Sequence, residues 1–594
     1  MSSYTAPLRD MRFALNELAG MAEVAKLPGY DEATPDTVDA ILEQASKFSS
    51  EVLDPINYSG DQEGSKWSAG EVRTPKGFRD AYRRFCDGGW NALPFEAEWG
   101  GQGLPRLVST PVQEMWKSSN LSFSLCPLLT QGAIEALLLR GSDELKQAYL
   151  PKMVEGKWAG TMNLTEPQAG SDLSLVRTKA ERAGGHYLVS GQKIFITYGE
   201  HDLTENIVHL VLARTPEAPE GVKGISLFIV PKFIPDKDGS PGERNGARCA
   251  SIEHKLGIHA SPTAVMVYDK AVGYLVGEEN RGLETMFIMM NAARFAVGLE
   301  GVAIAERAFQ RALAFAKERL QGRDLVEGGK AVPIIRHPDV RRMLMLMKSQ
   351  TEAMRALAYT TAASLDFSQK SPDEKERIRH QAFVDLMIPV VKGWCTETGI
   401  EIASLGVQVH GGMGFVEETG AAQYLRDARI TTIYEGTTGI QAMDLVGRKI
   451  AREGGATARQ WLSQLKKLDA ELARSANPDI QSIRSHLSKG TQAVADCVDF
   501  IVAAKDPRAA FAGAVPFLKL MGIVAGGWQM ARSALVCERK LASKEADASF
   551  HQAKIATARF YGDHVLVQAG ALRDTVVSGA AGVMALSEDQ FLAA

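Results

Sequence analysis

Apolar residues recur at helical spacing through the first 160 positions. Val38, Ile41, Leu42, Ala45 and Phe48 share one face behind Pro35, a residue suited to a helix's first turn. The stretches 137–139 and 145–153 keep that spacing. Then the pattern shortens. Segments 186–197, 206–214, 224–231, 250–256 and 263–268 are brief, rich in Val and Ile, and separated by Gly, Pro and Asp. They predict a small β-domain, a barrel or a sandwich. Helical spacing resumes near residue 280, where Ala305, Ala308, Phe309, Ala312, Phe315 and Ala316 form one stripe. A Gly-rich loop is expected over 320–333, and Gly454-Gly455 marks a boundary before a last helical region. The expected architecture is mainly α with one β-domain. Its parts are an N-terminal helical domain (1–159), a β-domain (160–279), a helical bundle (280–453) and a C-terminal helical extension (454–594).

Composition narrows this little. The 594 residues exceed one core, and 45% hydrophobic with 23% charged residues describes an ordinary globular chain. A formal charge of −4 gives no general pull toward nucleic acid, and residues 451–594 carry only +3. Six scattered cysteines without a CxxC pair suggest reduced thiols. No apolar run is expected to span a membrane, and acidic residues near the N-terminus argue against a transit peptide, so the expected location is the cytoplasm. No HExxH occurs and His254 and His259 lack ligand company, so no metal is expected.

Candidate chemistry concentrates in the run Arg429 to Gln441. It sets one carboxylate, Glu435, between an apolar run and a helix start. Thr438 with Gln441 fits a capping box, and Gly436 lets backbone approach a ligand without a Cβ in the way. A second segment, Thr165-Glu166-Pro167-Gln168-Ala169-Gly170-Ser171-Asp172, follows a helical region, and Lys193-Ile194-Phe195-Ile196-Thr197 lies a strand later. A third, Gln408-Val409-His410-Gly411-Gly412-Met413-Gly414-Phe415, is a glycine cluster after a helix. No G-x-G-x-x-G opens a β-α-β unit.

In order and spacing these segments resemble the flavin-dependent acyl-CoA dehydrogenases over about residues 80 to 450. The extra C-terminal length is similar to a longer bacterial subgroup that includes 3-(methylthio)propanoyl-CoA dehydrogenases. The resemblance implies α,β-dehydrogenation of an acyl-CoA thioester, with FAD accepting the hydride at N5 and an electron-transferring flavoprotein taking the electrons. It implies Glu435 as the base, its backbone N–H helping to hold the thioester carbonyl. The branch with a glutamate before the helix arginine has Ala293 before Arg294 here, and alanine cannot act as a base. Met162, Leu164, Thr165, Gly170 and Ser171 match positions near the flavin ring, the substrate and the FAD phosphates. Phe195 matches a ring packed on the flavin, and Thr197 a hydroxyl near N5. Gln408, Gly411, Gly412 and Arg319 match contacts to a partner subunit's FAD, which implies a homodimer at least. Thr437 joins the cofactor set and Gly436 the substrate set. Asn291 and Arg294 match positions near the CoA arm, or Arg294 is a buried ion-pair partner supporting the loop. Arg426-Asp427 is expected as a paired charge beneath it. An acyl-CoA oxidase is the nearest alternative, and a DNA-associated flavoprotein a distant one that would want a strongly basic C-terminal surface.

Overall fold

The stripe behind Pro35 forms helix α1 (Pro35–Phe48) in the computed structural model, which describes residues 3–543 and 547–592. Thr34 caps it by accepting the Thr37 N–H at 3.2 Å. Helices α2 (Arg106–Ser119) and α3 (Leu121–Arg140) meet at Asn120, which ends the first and caps the second by accepting the Phe123 N–H. Among the described residues two helices, α3 and α4 (Gly282–Glu318), are long and apolar enough, by length and composition only, to cross a membrane. In this fold 89% and 67% of their most apolar windows are buried inside the protein, so packing accounts for their composition.

Seven strands form the main sheet of the β-domain: β1 (Trp158–Asn163), β2 (Lys179–Ala183), β3 (His186–Thr197), β4 (Asn206–Ala213), β5 (Ser226–Pro231), β6 (Ala247–Ile252) and β7 (Thr263–Leu275). The order is β1-β4-β5-β7-β3-β2, with β6 also on β7. Only β1 and β4 pair in parallel; the other pairings are antiparallel. β7 pairs with β3 along most of its length and turns to β5 at Tyr274 and Leu275, joining the two halves of the sheet. β4 and β5 are buried at every position, which explains their largely apolar sequences.

Outside the β-domain, two hairpins were not foreseen. Lys66–Ser68 pairs with Glu71–Arg73 inside the helical N-terminal region. The stretch expected as a loop is Leu320–Asp324 paired with Gly328–Pro333, its turn over 325–327 followed by Gly328 and Gly329 at φ +64° and +82°. These strands are mostly exposed, so no apolar alternation announces them.

Helices α5 (Pro338–Lys370) and α6 (Glu374–His410) complete the bundle with α4. Glycine lets α4 and α6 meet backbone to backbone: a Cβ on Gly301 would lie 2.3 Å from the Cys395 carbonyl. Short helices α7 (Ala421–Ala428) and α8 (Thr438–Met443) follow, then the extension with α9 (Pro478–Ala503), α10 (Ala514–Ala542) and α11 (Ala548–His564). The extension packs on the bundle, Trp394 of α6 filling the space beside Gly522 of α10. Buried charges tie the three regions together. Arg355 on α5 meets Asp10, Glu114 and Glu306, each at 2.6 Å, while Lys554 on α11 meets Glu352 at 2.9 Å and also Asp10.

Candidate active site

Glu435 lies on the short connection between α7 and α8, with its backbone at φ +56°. That left-handed conformation is rare for a residue with a Cβ and costs about 1–3 kcal/mol, so its surroundings must hold it. Four contacts do. The Gln441 side chain donates to the Glu435 carbonyl at 3.1 Å, and the Lys392 ammonium to the Gly436 carbonyl at 2.7 Å. The Tyr434 hydroxyl donates to Glu300. Thr437 caps α8 by accepting the Ile440 N–H at 3.2 Å. The cap is therefore Thr437, not Thr438, whose hydroxyl donates to Glu397 instead. Gln441 braces the loop rather than closing a capping box. Gly436, at φ +89°, is required: a Cβ there would sit 2.8 Å from the Gln441 nitrogen.

The Glu435 residue keeps partial contact with solvent, yet protein crowds its carboxylate. Burial pushes that carboxyl up to about 7, against the pull of Arg294 and Lys392. No hydrogen bond reaches it among the described residues. Burial likewise lifts Glu300 to about 7 and lowers Lys392 and Lys117 to about 8. Arg294 is 6% exposed and lies 3.9 Å from Asp444 and 3.4 Å from the Asn291 side-chain oxygen. A cavity of about 300 Å³ opens between α2, α3, α4 and α6. Asn291 and Asp444 line it but Glu435 does not, so Arg294 links the cavity wall to the loop. A carboxylate that is ionised near neutral pH, enclosed and free of hydrogen bonds can accept a proton from a bound molecule.

Sequence reasoning passed over Lys117, Glu300 and Lys392. Glu300 and Lys392 are each a lone charge in an otherwise apolar stretch, as in Val390-Val391-Lys392-Gly393-Trp394, and that isolation is the signal that could have found them; Lys117 follows Glu114 by one turn and carries no such signal.

In the β-domain, the Ile194 N–H donates to the Thr165 carbonyl at 2.9 Å, bringing Met162, Leu164 and Thr165 beside the end of β3 that carries Phe195 and Thr197. Buried Glu166 locks the junction, accepting from Lys193 at 2.8 Å and from Thr178 at 2.6 Å. Phe195 is 59% exposed and sits at φ +61°, an unpacked ring on a strained backbone. Gly170 and Ser171 are exposed, and a Cβ on Gly170 would meet nothing within 4 Å. Arg319, Gln408, Gly411 and Gly412 are exposed at the far ends of α4 and α6, where Phe315 stacks on His410 at 4.4 Å. The expected Arg426–Asp427 pair does not form. Arg426 turns to Asp61 at 2.7 Å and Glu417 at 2.9 Å, while Asp427 accepts the Ile258 N–H of the β-domain. Successive residues of a helix point to different sides, so adjacency in sequence did not make them partners.

Profiles of the acyl-CoA dehydrogenase N-terminal, middle and C-terminal domains match residues 35–157, 161–271 and 280–450, and an acetyl-CoA dehydrogenase C-terminal-like profile matches 461–587. The chain is 53% identical over 574 residues to the 3-methylmercaptopropionyl-CoA dehydrogenase of Ruegeria pomeroyi, covering 96% of this chain and 97% of that one. It is 35% identical to a butyryl-CoA dehydrogenase of Syntrophomonas wolfei, with 94% of each covered. An acyl-CoA dehydrogenase structure from Bacillus anthracis, complexed with FAD, shares the fold with a TM-score of 0.74 at 20% identity, over 98% of this chain and 93% of that one. The chain belongs to the acyl-CoA dehydrogenase family.

Proposed function

We propose that this protein is a FAD-dependent acyl-CoA dehydrogenase that converts an acyl-CoA thioester to its trans-2-enoyl-CoA. The observation that carries this is Glu435, strained, enclosed and ready to take a proton near neutral pH. In this reading its carboxylate removes the α-proton, and its backbone N–H polarises the thioester carbonyl. Bound FAD supplies the hydride acceptor for the β-carbon, which no side chain can provide.

The residues present fit that cofactor. An exposed aromatic ring at Phe195 and glycines at 170, 411 and 412 with open space where a Cβ would stand suit a planar ring and a diphosphate. Met162, Leu164, Thr165, Phe195 and Thr197 would hold the ring, and Thr437 joins that set. Gly170 and Ser171 would hold FAD phosphates, Ser171 also touching substrate. Arg319, Gln408, Gly411 and Gly412 would serve the FAD of a partner subunit in a homodimer. Asn291, Arg294 and Gly436 complete the substrate side. A 3-(methylthio)propanoyl or a short to medium straight chain is the expected acyl group, supported by the relatives' substrates. An electron-transferring flavoprotein in the cytoplasm is the expected electron acceptor.

The test is anaerobic mixing of the FAD-loaded enzyme with 3-(methylthio)propanoyl-CoA and butyryl-CoA. Wild type bleaches the flavin, and Glu435→Gln retains FAD yet does not bleach. Undiminished bleaching by that variant contradicts the reading. Peroxide formed in step with product, without added acceptor, would transfer it to the oxidases.

A further inference from the structure

Two buried charges touch the residues on either side of Glu435, and the proposed reaction uses neither. Glu300, on α4, is 0% exposed; one of its oxygens accepts the Tyr434 hydroxyl and the other has no partner among the described residues. Lys392, on α6, is also 0% exposed and gives its ammonium to the Gly436 carbonyl. An anion thus grips the residue before Glu435, and a cation grips the residue after it. Sequence separation underlines that this is tertiary design: Glu300 lies 134 positions from Tyr434, and Lys392 lies 44 from Gly436. A plain core would fill both positions with apolar side chains, because a buried charge is costly unless something answers it.

We propose that Glu300 and Lys392 are opposed positioning residues: through Tyr434 and Gly436 they hold the left-handed turn at Glu435, and their charges pull its proton affinity in opposite directions. The inference rests on Glu435 being the base. A neighbouring carboxylate disfavours a second negative charge, and a neighbouring ammonium favours it. Both effects act through protein, where salt screens little. The other charges facing the loop among the described residues are Lys117 from α2, Arg294 from α4, Glu397 from α6, Asp427 from α7, and Asp444 and Arg448 beyond α8. Burial works against the ionised form of Glu300, while Lys117 from behind and the Tyr434 hydroxyl favour it. Burial also leaves Glu300 near 7 and Lys392 near 8, so small changes in either alter the field on Glu435.

The experiment is stopped-flow flavin bleaching of the FAD-loaded enzyme by butyryl-CoA, without oxygen, from pH 5.5 to 9. Removing the anion with Glu300→Gln is expected to lower the pH of half-maximal rate by about half a unit. Removing the cation with Lys392→Met is expected to raise it by a similar amount, about half a unit. Tyr434→Phe loses the hydrogen bond to Glu300 and with it a donor that favours the ionised carboxylate, so it slows bleaching and moves the midpoint in the same direction as Glu300→Gln, by a smaller amount. A merely structural role would scale the rates of the first two variants without moving either midpoint, and that result overturns the proposal. So does a shift of both in the same direction, or a Tyr434→Phe enzyme as fast as wild type. If Lys392→Met does not retain FAD, the near-isosteric Glu300→Gln decides the matter alone. Bleaching by Glu435→Gln would instead remove the base reading itself, a separate result from unmoved midpoints.

Discussion

Glu166 and Glu435 are two enclosed glutamates in two sequence motifs, and their surroundings make them opposites. Glu166 accepts from Lys193, from the Thr178 hydroxyl and N–H, from the Arg177 N–H and from Gln168, at distances from 2.6 to 3.0 Å. Burial opposes its charge, but Lys193 and these donors outweigh it and hold the carboxyl near 2. Glu435 receives no such bonds among the described residues, and burial prevails, placing it near 7. Enclosure alone does not decide what a carboxylate does. Filled lone pairs make a strut between strands, and empty ones beside two restrained cations make a proton acceptor.

The sharpest way to break this contrast is to remove the strut. Lys193→Met leaves Glu166 buried without its cation, and the loss expected is about 3–5 kcal/mol in urea unfolding. The same measurement should find Glu435→Gln harmless at pH 5 and stabilising at pH 8. The sign follows from a folded-state value above the ordinary 4.5: the stability that wild-type Glu435 contributes is present below 4.5 and lost as pH rises through 7. With partial solvent access the gain at pH 8 is up to about 2 kcal/mol. Glu166 behaves conversely, its contribution present above 4.5 and lost as pH falls toward 2. The smallest effect expected is from Thr437→Ala, which removes the α8 cap for about 1 kcal/mol, while Thr438→Ala leaves that cap intact.

The helix, sheet, helix order was legible because core-facing elements carry their period in the sequence, and β4 and β5 announced themselves by being buried throughout. The 320–333 hairpin was not, because its exposed strands need no apolar face. Glu435 could be singled out from its own neighbours in the chain. Glu300 and Lys392 could not, since their partners are reached only after α4 and α6 pack on the loop. The cap slipped by one residue because Thr437 and Thr438 both carry hydroxyls, and only backbone geometry chooses between them.

Everything functional depends on Glu435 changing its protonation near neutrality. The pH dependence of flavin bleaching by wild-type enzyme measures that directly. A half-maximal rate near pH 7 is the predicted result; a rate still at its plateau down to pH 5, as an ordinary carboxylate would give, contradicts the account.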